Sequence, residues 1–304
     1  MEKILNRYSA FLFLLALLLN VVYFFWLDPF EYHEALGIST TQDIAYNFYK
    51  YNSVKVNLHR VGRLGNEIHK RQDFVDCKDI EPEKYGRPTK FRNVLDTIGY
   101  PALLGLLWKI TDSLRYRDIQ IFQILIFSFL MFLIYQIGFL IFKSKKLAFL
   151  FGLGQVLFLP AYYLNVQTNR DIWAYYGLFI LFYLIARCYY FSPRFKIITI
   201  FFGSFFVAIC QWMRPTVFLS LICITLFCLV WLFFYRKNVK IFFKCLAILW
   251  MGNLCFFWIP FAAYNKIAYD KFFVSNKGNL LMIGLGEFSN KWGLSCSDSS
   301  VASY

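Results

Sequence analysis

Tyr8-Ser9-Ala10-Phe11-Leu12-Phe13-Leu14-Leu15-Ala16-Leu17-Leu18-Leu19-Asn20-Val21-Val22-Tyr23-Phe24-Phe25-Trp26-Leu27 runs without a break into Asp28-Pro29-Phe30-Glu31-Tyr32-His33-Glu34-Ala35-Leu36. The first stretch holds no Asp, Glu, Lys or Arg and has the length of about 20 helical residues that crosses a bilayer core. Lys3 and Arg7 precede it. It is too long and too aromatic for a signal-peptide core, and no small-residue cleavage site follows, so it is expected to stay as a helix. The second stretch opens a polar loop that reaches to about Arg117.

Composition sets the class. Hydrophobic residues make up 59% of the 304 and charged ones 16%, against about 45–50% and 25% in a soluble domain. The formal charge of +14 invites a nucleic-acid reading. The segment from Asp28 to Asp118, however, holds 14 Lys and Arg against 13 of the 18 acids, which leaves +13 dispersed at the ends of apolar runs. That is membrane topology, and no nucleic-acid partner is expected.

The expected fold is an all-α polytopic membrane protein. Spans are read at Tyr8–Leu27, Ile119–Phe142, Leu147–Leu164, Ile172–Phe191, Phe195–Met213, Thr216–Tyr235 and Ile241–Ala262, about seven in all. The domains are then 1–27, a first transmembrane helix; 28–118, an outer loop with interfacial helices; 119–262, a six-helix transmembrane region; and 263–304, an outer segment. Ile98–Ile110 is apolar but too short to span, and reads as a helix in the outer interface with Pro101 in its first turn. Lys3, Arg7, Lys143, Lys145, Lys146, Arg194, Lys196, Arg236, Lys237 and Lys240 occupy the N-terminus and every second connection; the alternate short ones carry only Arg170 and Arg214. Ten cations against two put the N-terminus in the cytoplasm. Ser299-Ser300-Val301-Ala302-Ser303-Tyr304 reads as the middle of a loop, as if the chain continued.

Six of the eight cysteines lie in or at the ends of apolar runs, where a thiol is a small hydrophobe. Cys77 and Cys296 fall in outward segments and could pair in an oxidising compartment. His33, His59 and His69 are too scattered for a metal site.

A membrane protein that works on a lipid-linked substrate needs its reactive groups at headgroup depth, because charge at the bilayer centre is costly. Asp28 ends the first span, Arg170 and Asp171 stand where the third span turns into the fourth, and Arg214 where the fifth turns into the sixth. Two carboxylates and two guanidiniums at one depth suit an anionic headgroup and a proton. A structural reading stands beside this one. Asp28 before Pro29, with Glu31 three residues on, has the spacing of a helix cap, and Thr40 with Asp43 repeats it. Arg214 before Pro215 has the position of a snorkelling anchor.

At these residues the chain resembles the GT-C membrane glycosyltransferases, the group that includes protein O-mannosyltransferases and aminoarabinose transferases. Asp28 with Tyr32 and Glu34 looks like the acidic motif after their first span. Gly99-Tyr100-Pro101-Ala102-Leu103-Leu104 resembles their Gly-Tyr-Pro-Leu interfacial helix. Pro160 through Asp171 is similar to the segment that ends their third span, and Arg214-Pro215-Thr216 to their Arg-Pro turn. The chain departs from the pattern where Asp28-Pro29 stands for two adjacent acids and Arg170-Asp171 for Thr-Glu.

The resemblance implies inverting transfer of a sugar from a polyprenyl-phosphate donor to a glycan, lipid or protein acceptor on the outer face. Asp28, Asp43 and Asp171 are then candidate catalytic carboxylates. Glu31, Tyr32, Glu34, Tyr100, Arg170, Arg214 and Lys266 are candidate substrate-binding residues. No cofactor is specified, and a divalent metal is left open. The absence of any Asn-x-Ser/Thr sequon favours a bacterial inner membrane. A transporter or lipid flippase, or a noncatalytic assembly subunit, shares the topology; a transporter is expected to show broken helices.

Overall fold

The computed structural model describes residues 6–26, 37–55, 98–115, 117–166, 170–190, 193–214, 216–234 and 239–270. Among these the fold is all helical: α1 Arg7–Trp26, α2 Gly37–Tyr51, α3 Gly99–Thr111, α4 Arg117–Phe142, α5 Lys145–Val156, α6 Leu159–Val166, α7 Ile172–Tyr190, α8 Pro193–Met213, α9 Thr216–Phe234, α10 Val239–Asn253, a π-helical turn Leu254–Trp258, and α11 Ile259–Tyr269. The start of α1 is fixed by a reciprocal cap. Asn6 Oδ1 accepts from the amides of Tyr8 and Ser9, and Ser9 Oγ accepts from the Asn6 amide, satisfying donors that a helix start leaves open.

By length and apolarity three helices can cross a membrane: Arg7–Trp26, Arg117–Phe142 and the continuous Phe242–Ile267 that joins α10 to α11. A fourth is the bent pair Lys145–Val156 and Leu159–Val166. The chain is therefore a multi-pass membrane protein. Ile172–Arg187, Ile197–Met213 and Thr216–Val230 are shorter apolar helices. The helix α4 is the axis of the bundle, packing against α1, α3, α5, α6 and α7. Its most apolar window is 61% buried, against 22% for α1, which separates a central helix from a lipid-facing one. Beyond α7, the bundle continues through α8 to α10.

Two spans depart from the continuous runs read in the sequence. Leu147–Leu164 is broken at Leu157 and Phe158 and bent by 52°. Pro160 lacks the N–H that would bond the Val156 carbonyl, so the helix restarts rather than continues. The last span runs past Ala262 to Tyr269 and widens just before Pro260, with the Ile259 amide donating to the Leu254 carbonyl five residues back. Pro260 also leaves the Phe256 carbonyl without its usual donor, and the Trp212 indole supplies one at 3.5 Å.

The short apolar segment at Ile98–Ile110 is indeed a helix, α3, and it pairs with α2. A Cβ on Gly105 would stand 2.5 Å from the Ala45 carbonyl oxygen, so only glycine allows the crossing. Further along, Lys109 donates to Asn52, and Tyr49 donates to Asp112 at 3.4 Å. The two helices thus run parallel, with Gln42 and Asp43 toward the Gly99–Tyr100 end. Thr40 and Asp43 are inside α2, which starts at Gly37. The cap spacing read there is corrected: an earlier helix start makes Asp43 an interior residue.

Candidate functional site

Arg170 and Asp171 occupy the turn that enters α7; the Arg170 and Asp171 carbonyls accept from the amides of Trp173 and Ala174. Arg214 closes α8, its amide donating to the Cys210 carbonyl at 2.8 Å. The two antiparallel helices bring Arg214 Nε to 2.5 Å from Asp171 Oδ1. An acid at a helix N-terminus and a base at a helix C-terminus each complement the local dipole, so backbone electrostatics favour this pairing. The side chains retain 28% and 42% of their exposure, which leaves the pair reachable from outside the bundle.

Tyr100 arrives at the same end through α3. Any side chain on Gly99 would collide with the Trp212 backbone, so the start of α3 lies directly on the last turn of α8, two residues from Arg214. Tyr100 is buried and its hydroxyl donates to Gln123 Oε1 at 3.4 Å. The structure therefore brings Asp171, Arg170, Arg214 and Tyr100 to one end of the bundle. Asp43 is 5% exposed on α2. Lys266 pairs with Asp270 at 2.5 Å, one turn along α11. Asp28, Glu31, Tyr32 and Glu34 lie outside the described residues, as do Cys77 and Cys296.

Below the ion pair runs a buried polar network of uncharged groups. Asn20 donates to the Ala16 carbonyl at 2.8 Å, and Asn165 donates to Asn20 Oδ1 at 2.7 Å. The Tyr176 hydroxyl lies 2.5 Å from Asn165 Oδ1 and 3.2 Å from the Gln123 carbonyl. Gln120 Nε2 donates to the Val166 carbonyl at 2.6 Å. These bonds tie α1, α4, α6 and α7 together, reaching α7 at Tyr176, five residues on from Asp171. On the other side, Asn253 Nδ2 donates to Gln211 Oε1 at 2.5 Å, one turn before Arg214.

Several groups at this end keep hydrogen-bonding capacity unspent. Among the described residues, the Gln42 carboxamide, Gln120 Oε1, the Tyr162 hydroxyl, the Trp173 indole N–H, Gln211 Nε2 and Asn253 Oδ1 are buried without a hydrogen-bond partner. Each such group costs about 1–3 kcal/mol unless something satisfies it. A charge-based reading of the sequence passes over these residues, because none is ionisable near neutral pH. The signal available was the lone carboxamide inside an apolar run, as at Asn20, Gln211 and Asn253; Asn165 stands just past the end of one. No group of three or more His, Cys, Asp or Glu that could hold a metal ion occurs among the described residues.

No protein-family model, curated protein or solved structure matches the chain.

Proposed function

We propose that the chain is a membrane glycosyltransferase of GT-C type with about seven spans, moving a sugar from a polyprenyl-phosphate donor to an acceptor on the outer face, its N-terminus cytoplasmic. The observation that carries the reading is the reachable Asp171–Arg214 pair set among buried neutral groups with unspent hydrogen bonds. A sugar phosphate has matching chemistry, with an anion for a guanidinium and several hydroxyls for carboxamides, an indole and a phenol.

In this reading Arg214 and Arg170 hold the phosphate, and a bidentate guanidinium stabilises the charge that grows as it departs. The acceptor oxygen attacks the anomeric carbon, the bond from that carbon to the phosphate oxygen breaks, and the acceptor proton passes to a carboxylate. Phosphate is a weak base and leaves without a general acid, so one carboxylate is enough. Asp28, Asp43 and Asp171 are the candidates; Asp171 must first loosen its hold on Arg214. Incubating the purified chain with polyprenyl-phosphate hexoses and candidate acceptors tests this, with released polyprenyl phosphate expected and intact donor throughout the outcome that defeats it.

One observation favours a second reading. The break between α5 and α6 and the π turn before α11 are interruptions of the kind transporters use to reshape spans. Movement of labelled lipid across a proteoliposome bilayer without chemical change to the lipid would establish that reading.

A further inference from the structure

Gln211 and Asn253 are fully buried, one near the end of α8 and the other at the last residue of α10 before the π turn. Each spends one atom on the other, Asn253 Nδ2 donating to Gln211 Oε1 at 2.5 Å. The remaining two atoms, Gln211 Nε2 and Asn253 Oδ1, have no hydrogen-bond partner. This inventory survives the one ambiguity that carboxamides carry. Exchanging oxygen and nitrogen in both side chains reverses the mutual bond and again leaves one donor and one acceptor.

The two unspent atoms are close by construction. Each is bonded to the same carbon as an atom of the mutual bond, so they stand no more than about 7 Å apart, while one oxygen bridging two hydrogen bonds spans up to about 6 Å. In hydrogen-bond character a group with one acceptor and one donor, an O–H, matches them both, and it bridges them where their separation is below that span. A hydrophobic neighbour satisfies neither, and buried polar atoms are left unpaired in only a small minority of cases. The surroundings also set this pair apart. Gln211 precedes Arg214 by three residues on α8, which puts both on one helix face. The adjoining π turn widens the last span at this level, a distortion that recurs at functional sites.

We propose that Gln211 and Asn253 form a hydroxyl-binding site: an O–H accepts from Gln211 Nε2 and donates to Asn253 Oδ1, one turn from the Asp171–Arg214 pair. Two sources share this chemistry, an ordered water and a hydroxyl of the donor sugar; the second rests on the transfer reading above. In the sugar case the site distinguishes a glycosylated lipid phosphate from the bare one, a discrimination that Arg214 alone cannot make.

The test uses the whole chain in nanodiscs. An experimental structure without added ligand is determined at a resolution that shows ordered waters. Affinities for a polyprenyl-phosphate hexose and for polyprenyl phosphate alone are measured for the wild type, Gln211→Leu and Asn253→Leu. A density peak within hydrogen-bond distance of both carboxamides establishes the site with water in it. It does so even if no lipid binds, an outcome that removes the transfer reading alone. With no peak, the sugar source predicts that both variants lose the hexose-dependent part of the affinity, roughly five- to tenfold, and keep polyprenyl phosphate binding. No peak, together with a hexose preference that is absent in the wild type or unchanged in either variant, overturns the proposal.

Discussion

Near its start α4 buries Gln120 and Gln123, the first donating to the Val166 carbonyl and the second accepting from Tyr100. At the other end of the same helix, Lys143, Lys145 and Lys146 are exposed around the turn into α5, and Ser144 caps α5 with a bond from the Leu147 amide. One end thus carries its polarity inside the bundle as carboxamides and phenols in contact with one another. The other presents exposed cations. Charges facing water anchor a helix at a membrane surface and cost little. Buried neutral polar groups cost free energy unless each finds a partner, and the ones that bond one another from helix to helix, Asn20, Asn165, Tyr176 and the Tyr100–Gln123 pair, lie toward the first end, where the fold spends stability on something other than packing. That end also holds Asp171 and Arg214.

Substitutions at the two ends should therefore differ in kind as well as size. The largest effect is expected for Asn165→Leu, which removes the donor to Asn20 Oδ1 and one of the two acceptors beside the Tyr176 hydroxyl. Stability should fall by about 2 to 4 kcal/mol, read as a lowered unfolding midpoint in detergent or lipid. A drop within measurement error would show that the network does not hold α1 to α7.

Next comes Arg214→Lys. It keeps the charge but loses the planar fork, and binding of a polyprenyl-phosphate donor should weaken by about 1 to 3 kcal/mol. If Arg214 only anchors α8 at the membrane surface, lysine serves as well and the affinity is unchanged. A smaller effect of opposite sign is expected for Asp171→Asn. With the competing carboxylate neutralised, polyprenyl phosphate should bind more tightly, by at most about 1 kcal/mol because the pair is partly exposed. Weaker binding in this variant would mean that Asp171 serves to position the guanidinium rather than to compete for it. The smallest effect belongs to the cationic end: Lys145→Ala should change stability by no more than about 0.5 kcal/mol and leave lipid phosphate binding alone.

The broad architecture was legible because apolar runs of spanning length have few other uses, and the cations between them repeat with regularity. The helical nature of Gly99–Thr111 could be read from its apolar pattern, and the meeting of Asp171 with Arg214 was foreshadowed by their placement at the same end of adjacent spans. What the sequence hid depends on contacts between distant segments. The bend at Leu157 and Phe158 follows from Pro160, yet a proline does not reveal whether its helix kinks or restarts. Asp43 looked like the acid that completes a cap at Thr40 three residues before it, whereas α2 starts at Gly37. The carboxamide network escaped because Asn20 and Asn165 are 145 residues apart, the first an ordinary polar interruption in an apolar stretch and the second an ordinary polar residue at the end of one.

The most direct test of the claim that one end of this bundle binds a lipid-linked anion is to map where such a lipid lies. The purified chain, reconstituted in bilayers with a photoreactive polyprenyl phosphate, would be cross-linked, digested and analysed for adducts by mass spectrometry. The account predicts adducts on 170–177, on the last turn of α8 around Trp212–Arg214 and on the start of α3, and their loss when bare polyprenyl phosphate is added in excess. Adducts concentrated around Lys143–Lys146, or spread evenly over the lipid-facing helices and indifferent to competitor, would contradict it.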